Sequence, residues 1–295
     1  MNRPALPDNP SADEADAIGL VGLGLLGSAL GARLIEQDID VMGFDISGES
    51  REQFRSSGGR VAGTLSDLAT CNQIILSLPD STISGQVIDE LLPTLRPATA
   101  IIDTTTGSPT DAEAAAGLLS ACEVEYLDAT VGGSSAQARR GEAIIMCGAT
   151  ERGFSTSRET LDRLASHVFH MGVPGSGSRM KLVTNLALGL NRAVLAEALG
   201  FAEAQGLDAE VVLNVLLAGP AVSGVMTTKG RRMIEREFAP EARLRQHAKD
   251  VDLILSSAQE SGAKVPLSEL HGQLLRGLIE NGLGDLDNSA IREAF

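Results

Sequence analysis

The chain has no tryptophan, one tyrosine and three cysteines in 295 residues. Cys71, Cys122 and Cys147 form no Cys-x-x-Cys pair and no metal-ligand spacing. Their odd number argues against a disulfide scaffold and for a reducing, cytoplasmic setting. Positive charge is also scarce. Lys plus Arg is 24 against 39 for Asp plus Glu, a net charge of −15, which excludes the basic footprint of non-specific nucleic-acid binding. No uninterrupted run of 18 apolar residues occurs, so neither a transmembrane helix nor a membrane partner is expected. The first 16 residues, Met1 to Asp16, lack an apolar core and read as a disordered tail rather than a secretory signal. Histidine is rare as well. His167 and His170 stand three apart in an apolar run with no completing ligand, so they read as packed or edge histidines and no metal is expected. Hydrophobic residues make up 43% of the chain, which fits a globular fold with a large core.

Against these absences, the first half shows short apolar runs separated by helix-length segments. The runs are Ala17–Gly22, Val41–Phe44, Ile74–Leu78, Ala100–Asp103, Val124–Leu127, Ala143–Cys147 and His167–Met171. That alternation predicts an α/β Rossmann-type doubly wound sheet, mostly parallel and covered on both faces. From Arg179 to Gln205 no proline intervenes, which predicts one long helix stopped by Gly206. Helices are then expected at Ala209–Leu217, Ser223–Arg236, Pro240–Ser261, Leu267–Asn281 and Asp287–Ala294. The expected organisation is therefore a dinucleotide-binding domain over 17–178, a connecting helix over 179–206 and an all-α domain over 207–295. That last domain is expected to serve the substrate and oligomer formation.

Two glycine-rich segments carry the chemistry. Gly22-Leu23-Gly24-Leu25-Leu26-Gly27 is a Gly-x-Gly-x-x-Gly turn between the first strand and the first helix. The first glycine permits the turn, the second lets a pyrophosphate approach, and the third lets helix and strand pack. Asp45 ends the second strand, 18 residues after Gly27, where a carboxylate accepts from the adenosine ribose and repels a 2′-phosphate. NAD is thus favoured over NADP, although Arg51 and Arg55 lie close in sequence, and Asp45 has a plainer reading as a helix cap. Leu78-Pro79 and Thr104–Thr106 follow strands at the ligand-binding edge. The second segment, Gly172-Val173-Pro174-Gly175-Ser176-Gly177, precedes the long helix, on which Lys181 and Asn185 are four apart and share a face. A lysine beside a nicotinamide can move the hydroxyl proton during hydride transfer, with Asn185 holding it or the substrate oxygen in line.

With these blocks in this order, the sequence resembles the β-hydroxyacid dehydrogenase family, which includes 3-hydroxyisobutyrate dehydrogenase, short-chain semialdehyde reductases and, more distantly, 6-phosphogluconate dehydrogenase. The resemblance runs from about Ala17 to the C-terminus. Gly22–Gly27 resembles the cofactor loop, Asp128–Ser134 the substrate loop and Gly172–Asn185 the catalytic signature. Lys249-Asp250 resembles the Lys-Asp pair of the second domain. The resemblance implies Lys181 as general acid/base with Asn185 as its partner. It implies Lys249 on cofactor and substrate, with Leu78, Pro79 and Thr106 also on the cofactor. The substrate loop departs from the family's Asp-x-Pro-Val-Ser-Gly-Gly. Thr130 replaces proline, Gly132 replaces serine, and Ser134 offers another hydroxyl, so anion binding is expected through Gly132, Gly133 and Ser134.

The expected activity interconverts a small 3-hydroxy acid and its semialdehyde, the acid group being a carboxylate or a sulfonate. The expected assembly is a homodimer or homotetramer. Two other readings are a non-catalytic dinucleotide sensor and an imine reductase-like enzyme, and Lys181 argues against both. A short-chain dehydrogenase needs Tyr-x-x-x-Lys, whereas Tyr126 is followed four positions later by Thr130.

Overall fold

The computed structural model describes residues 17–295; the expected N-terminal tail lies outside them. Two compact units divide inside one helix, the first running up to Lys181 and the second spanning Leu182–Phe295.

The first unit is built on eight strands: β1 (Ile18–Val21), β2 (Val41–Phe44), β3 (Arg60–Val61), β4 (Gln73–Leu76), β5 (Ala100–Asp103), β6 (Glu125–Gly132), β7 (Ile144–Gly148) and β8 (His167–Gly172). Their order in the sheet is β3-β2-β1-β4-β5-β6-β7-β8. The connecting helices are α1 (Leu25–Ile35), α2 (Gly48–Ser56), α3 (Ser81–Leu91), α4 (Pro109–Ser120), α5 (Ser135–Arg139) and α6 (Glu151–Leu164). Strand side chains alternate between two buried layers, as a period of two requires. Ile75, Ile102 and Leu127 face the layer that holds Leu30, Phe54 and Leu161. Ile74, Ile101 and Tyr126 face the other, with Ile88, Leu91 and Leu119. Burying each such aliphatic side chain contributes about 1.5–3 kcal/mol. Both faces are covered, which is why the strands read as continuous apolar runs.

Three features of this unit differ from the sequence expectation. The two-residue β3 is too short to leave a periodic signal. β7 pairs antiparallel with β6 and parallel with β8, so the last two strands run against the first six. The segment expected as a substrate loop is mostly strand: Asp128–Gly132 closes β6, Gly133 turns at φ +139°, and Ser134 caps α5.

The long helix α7 spans Ser176–Ala204, three residues earlier at its start than expected. Gly206, at φ +73°, follows its end. By length and mean hydropathy α7 is the one helix among the described residues that passes as a membrane span, although its apolar sequence is interrupted. Arg179, Lys181, Arg192, Glu197 and Glu203 are charged interruptions, and Leu195, Ala196 and Leu199 belong to the second unit's core. That core also draws on α8 (Ala209–Ala218), α9 (Gly224–Glu235), α10 (Leu244–Ser261) and α11 (Pro266–Glu280), through Leu213, Met226, Val251 and Leu275. α10 starts at Leu244 rather than Pro240, because the preceding stretch is held by Asp287, whose carboxylate accepts from the N–H groups of Glu241 and Ala242. The helix expected over Asp287–Ala294 is a 3₁₀ helix over Asn288–Ala294.

Candidate active site

The first glycine turn is shaped by clashes and by one open position. Gly22 sits at φ +91°, and a Cβ there would lie 2.2 Å from the Ser77 carbonyl oxygen. A Cβ on Gly27 would lie 1.9 Å from the Gly22 carbonyl oxygen. Neither backbone can retreat, so both positions require glycine. A Cβ on Gly24 would meet nothing within 4 Å. Gly24 is also the N-cap of α1 and, having no side chain, makes no cap bond there. The turn therefore leaves room and amide donors where an approaching anion needs them. A pyrophosphate fits these residues.

Asp45, at the end of β2, is fixed from both sides. One carboxylate oxygen accepts from the Leu23 N–H at 2.7 Å and the other from the Ser47 N–H at 2.7 Å. The cap of α2 is Ser47, not Asp45. Arg51 turns its guanidinium to the Asp45 carbonyl oxygen at 2.6 Å. Ile46 and Leu25 flank this region and are 93% and 82% exposed, unusual for large aliphatic side chains. At the next strand end, the Thr105 hydroxyl accepts from the Leu78 N–H and the Thr104 hydroxyl donates to the Leu76 carbonyl. Both threonines are buried, whereas Thr106 is partly exposed. A separate cavity of about 380 Å³ opens between α3 and α4, with Ser84, Asp103 and Tyr126 among its walls and none of Gly22–Gly27.

The second glycine turn meets β6. The Asp128 carboxylate accepts from the N–H groups of Gly175 at 2.9 Å and Ser178 at 2.6 Å. Burial pushes its pKa up to about 6, and those two donors oppose the rise. The Thr130 hydroxyl lies between the carbonyls of Met146 and Gly177, at 3.2 and 3.1 Å. The Lys181 ammonium donates to the Val131 carbonyl at 2.6 Å. Three neighbouring residues of β6 thus hold the first two turns of α7. Gly177 permits this approach: a Cβ there would lie 2.2 Å from the Asp128 carbonyl oxygen. Sequence reasoning missed the role of Asp128, since nothing local marks its partners 47 and 50 residues away.

Gly132 and Gly133 follow directly on the lysine's anchor. Ser134 does not offer the hydroxyl expected of it. Its N–H and hydroxyl both donate to the Gln137 side chain, and its oxygen accepts from the Gln137 N–H, which makes a capping box.

In the second unit, Asn185 is buried, and its amide donates to the Asp250 carboxylate at 3.1 Å. Lys249, half-buried, is the neighbouring residue on α10. Farther along α7, Gly189 makes room for two buried histidines: a Cβ there would lie 2.5 Å from His247 Nε2 and 2.8 Å from His271 Cε1. Burial, then the nearby Arg192 charge, lowers both histidines, His271 to about 4. His170 packs on Phe154 at 4.3 Å between ring centroids, while His167 is exposed.

Residues 17–172 match the family model described as the NAD binding domain of 6-phosphogluconate dehydrogenase. Residues 175–295 match the model described as NAD-binding of NADP-dependent 3-hydroxyisobutyrate dehydrogenase. The chain belongs to the β-hydroxyacid dehydrogenase family. It is 29% identical over 279 residues to 2-(hydroxymethyl)glutarate dehydrogenase of Eubacterium barkeri, covering 93% of each chain. It is 27% identical to 2-hydroxy-3-oxopropionate reductase of Escherichia coli, covering 94% of this chain and 96% of that one. A solved structure of Mycobacterium tuberculosis 3-hydroxyisobutyrate dehydrogenase with L-serine is 26% identical and superposes with a TM-score of 0.88, over 94% of this chain and 98% of that one. As a member of this family the chain is an NAD(P)-dependent oxidoreductase of hydroxy acids.

Proposed function

We propose that the enzyme interconverts a small 3-hydroxy acid and its semialdehyde, with Lys181 carrying the hydroxyl proton. The observation that carries this reading is the fixing of Lys181 on β6, at the carbonyl beside Gly132 and Gly133. A nicotinamide dinucleotide held by Gly22–Gly27, Asp45, Leu78, Pro79 and Thr106 supplies the hydride acceptor or donor. In the oxidation direction the amine of Lys181 takes the O–H proton as the carbonyl forms; in reduction its ammonium returns that proton. The Asn185 amide, oriented by Asp250, holds the reacting oxygen in line. Gly132 and Gly133 present backbone N–H groups to the acid group, and Lys249 adds a positive charge to cofactor and substrate.

NAD is the preferred cofactor in this reading. The fixed Asp45 carboxylate favours a free ribose over a 2′-phosphate, and Arg51 faces the chain's own carbonyl. The exposed Ile46 and Leu25 suit an apolar adenine face. Residues 207–295 serve the substrate and the assembly. Val211 and Val215, four apart on α8, are 60% and 65% exposed, and Val194 and Phe201 add to the exposed apolar surface. A homodimer or homotetramer covers such surface, and a monomer mass in light scattering would contradict it. Cys71, Cys122 and Cys147 are all unpaired, which supports a cytoplasmic setting.

Lys181→Ala tests the mechanism. The expected loss in kcat is about 10²–10⁴-fold, with NADH binding by fluorescence unchanged. Full turnover in that variant sinks the assignment. NADH binding by a wild type that turns over no semialdehyde supports the dinucleotide sensor instead.

A further inference from the structure

On the face of the sheet that meets α7, β6 and β7 present three directly opposed pairs: Asp128 with Gly148, Thr130 with Met146, and Gly132 with Ile144. Opposed residues of antiparallel strands point to one face, and residues two apart on a strand share it. The bonds from Asp128 and Thr130 to residues 175–178 identify that face as the one α7 covers. The third pair is the one with no polar side chain. Gly132 has no side chain, and Ile144 leans into the space one would fill: a Cβ on Gly132 would lie 2.8 Å from Ile144 Cγ1 and 3.2 Å from its Cδ1. Met146 Cε closes the same space at 3.5 Å. Ile145 and Met146 are buried, whereas Ile144 keeps an accessible edge. Lys181 is anchored one residue away, on the Val131 carbonyl.

The two side-chain hydroxyls nearest in sequence, those of Thr130 and Ser134, are engaged elsewhere. The Thr130 hydroxyl is turned to the Met146 and Gly177 carbonyls, and the Ser134 hydroxyl is held by Gln137. A hydroxyl placed against Ile144 would lose its water without gaining a partner.

We propose that Ile144 determines specificity at the carbon between the reacting carbinol and the acid group, admitting hydrogen or alkyl there and disfavouring hydroxyl. The inference rests on the functional reading above. With the carbinol oxygen at Lys181 and the acid group on the Gly132–Gly133 backbone, the intervening carbon passes Gly132. Its substituent then meets the side chain opposite, which is Ile144.

The test compares two acids that differ at that carbon by methyl against hydroxyl: 3-hydroxy-2-methylpropanoate and 2,3-dihydroxypropanoate. kcat/KM is measured for each with saturating oxidised cofactor, in the wild type, Ile144→Val and Ile144→Thr. An apolar wall discriminates such near-isosteres by up to about 100-fold. The wild type and Ile144→Val are expected to prefer the methyl acid by at least about tenfold. In Ile144→Thr that ratio is expected to fall by about tenfold or more. Unchanged melting temperature and NADH fluorescence would establish that fold and cofactor binding are intact. A wild type that favours the hydroxyl acid, or a ratio unmoved in Ile144→Thr, overturns the role of Ile144 alone. A wild type that binds NADH but oxidises neither acid, and reduces neither matching semialdehyde, overturns the functional reading and this inference with it.

Discussion

The molecule contains two glycine-rich turns that lead from a strand into a helix, and they do opposite things. In the first, Gly22 and Gly27 are packed against backbone while Gly24 faces open space. In the second, an aspartate of the same unit already occupies the helix end: Asp128 accepts from Gly175 and Ser178. The physical ingredients are the same, namely unsatisfied N–H groups at a helix start and glycines that allow close approach. The first turn leaves them for a ligand. The second has them filled by the protein's own carboxylate, and becomes the joint that aims Lys181. A glycine-rich turn before a helix therefore signals an anion, and the rest of the fold decides whether the anion is bound or built in.

The sharpest way to break this contrast is to add one methyl group to each turn. In Gly177→Ala the new carbon would lie 2.2 Å from the Asp128 carbonyl oxygen, and helix and strand would have to separate. The expected cost is about 3 kcal/mol or more, read as a large drop in melting temperature or as a loss of soluble protein. Gly24→Ala is expected to leave the melting temperature nearly unchanged, since its new carbon meets nothing. It should instead weaken NADH binding by about tenfold or more, because the pyrophosphate needs that approach. Equal melting temperatures for the two variants would erase the distinction between joint and site.

A subtler test uses pH. Asp128 titrates at about 6 in the fold, above its ordinary 3.8, so the folded chain holds this proton more tightly than the unfolded chain. The stabilisation from that proton is complete below about pH 3.8 and is lost as the pH rises through 6. Its full span is on the order of 3 kcal/mol. Asp128→Asn cannot titrate there. Denaturant melts at pH 7.5 and pH 4.5 should therefore show the wild type gaining on the variant by roughly 2 kcal/mol at the lower pH. Other titrating groups, among them Asp103 and the His247–His271 pair, are present in both chains and cancel in the difference. A difference that stays constant between the two pH values would mean that Asp128 is not desolvated at the joint.

Much of this is legible in the sequence. The strands that are apolar on both faces and the glycine turn after β1 identify themselves by local pattern. Lys181 and Asn185 stand out because a spacing of four on a helix is also local information. Strand direction is not local, so the reversal of β7 and β8 leaves no mark in the apolar runs. Nor does the grip of Asp128 on a turn nearly fifty residues away. Ser134 is a different case. Ser134-Ser135-Ala136-Gln137 carries the Ser-x-x-Gln signature of a capping box, so the engagement of its hydroxyl is written in four consecutive residues, and the expectation of a free hydroxyl there overlooked it.

The continuity of α7 has a consequence for how this protein can change length. Lys181 and Asn185 are four steps along one helical thread, about 400° of turn, and so only about 40° apart in azimuth. One residue inserted between them moves that angle to about 140°, and the two groups then point to nearly opposite sides of the same rod. No neighbouring loop can absorb the change, because there is no loop. Exposed connections such as the stretch between α10 and α11 can lengthen or shorten with little effect on the rest of the chain. The three-residue stretch between these two side chains works instead as a phase-locked shaft, in which substitutions are tolerated far better than any change of count.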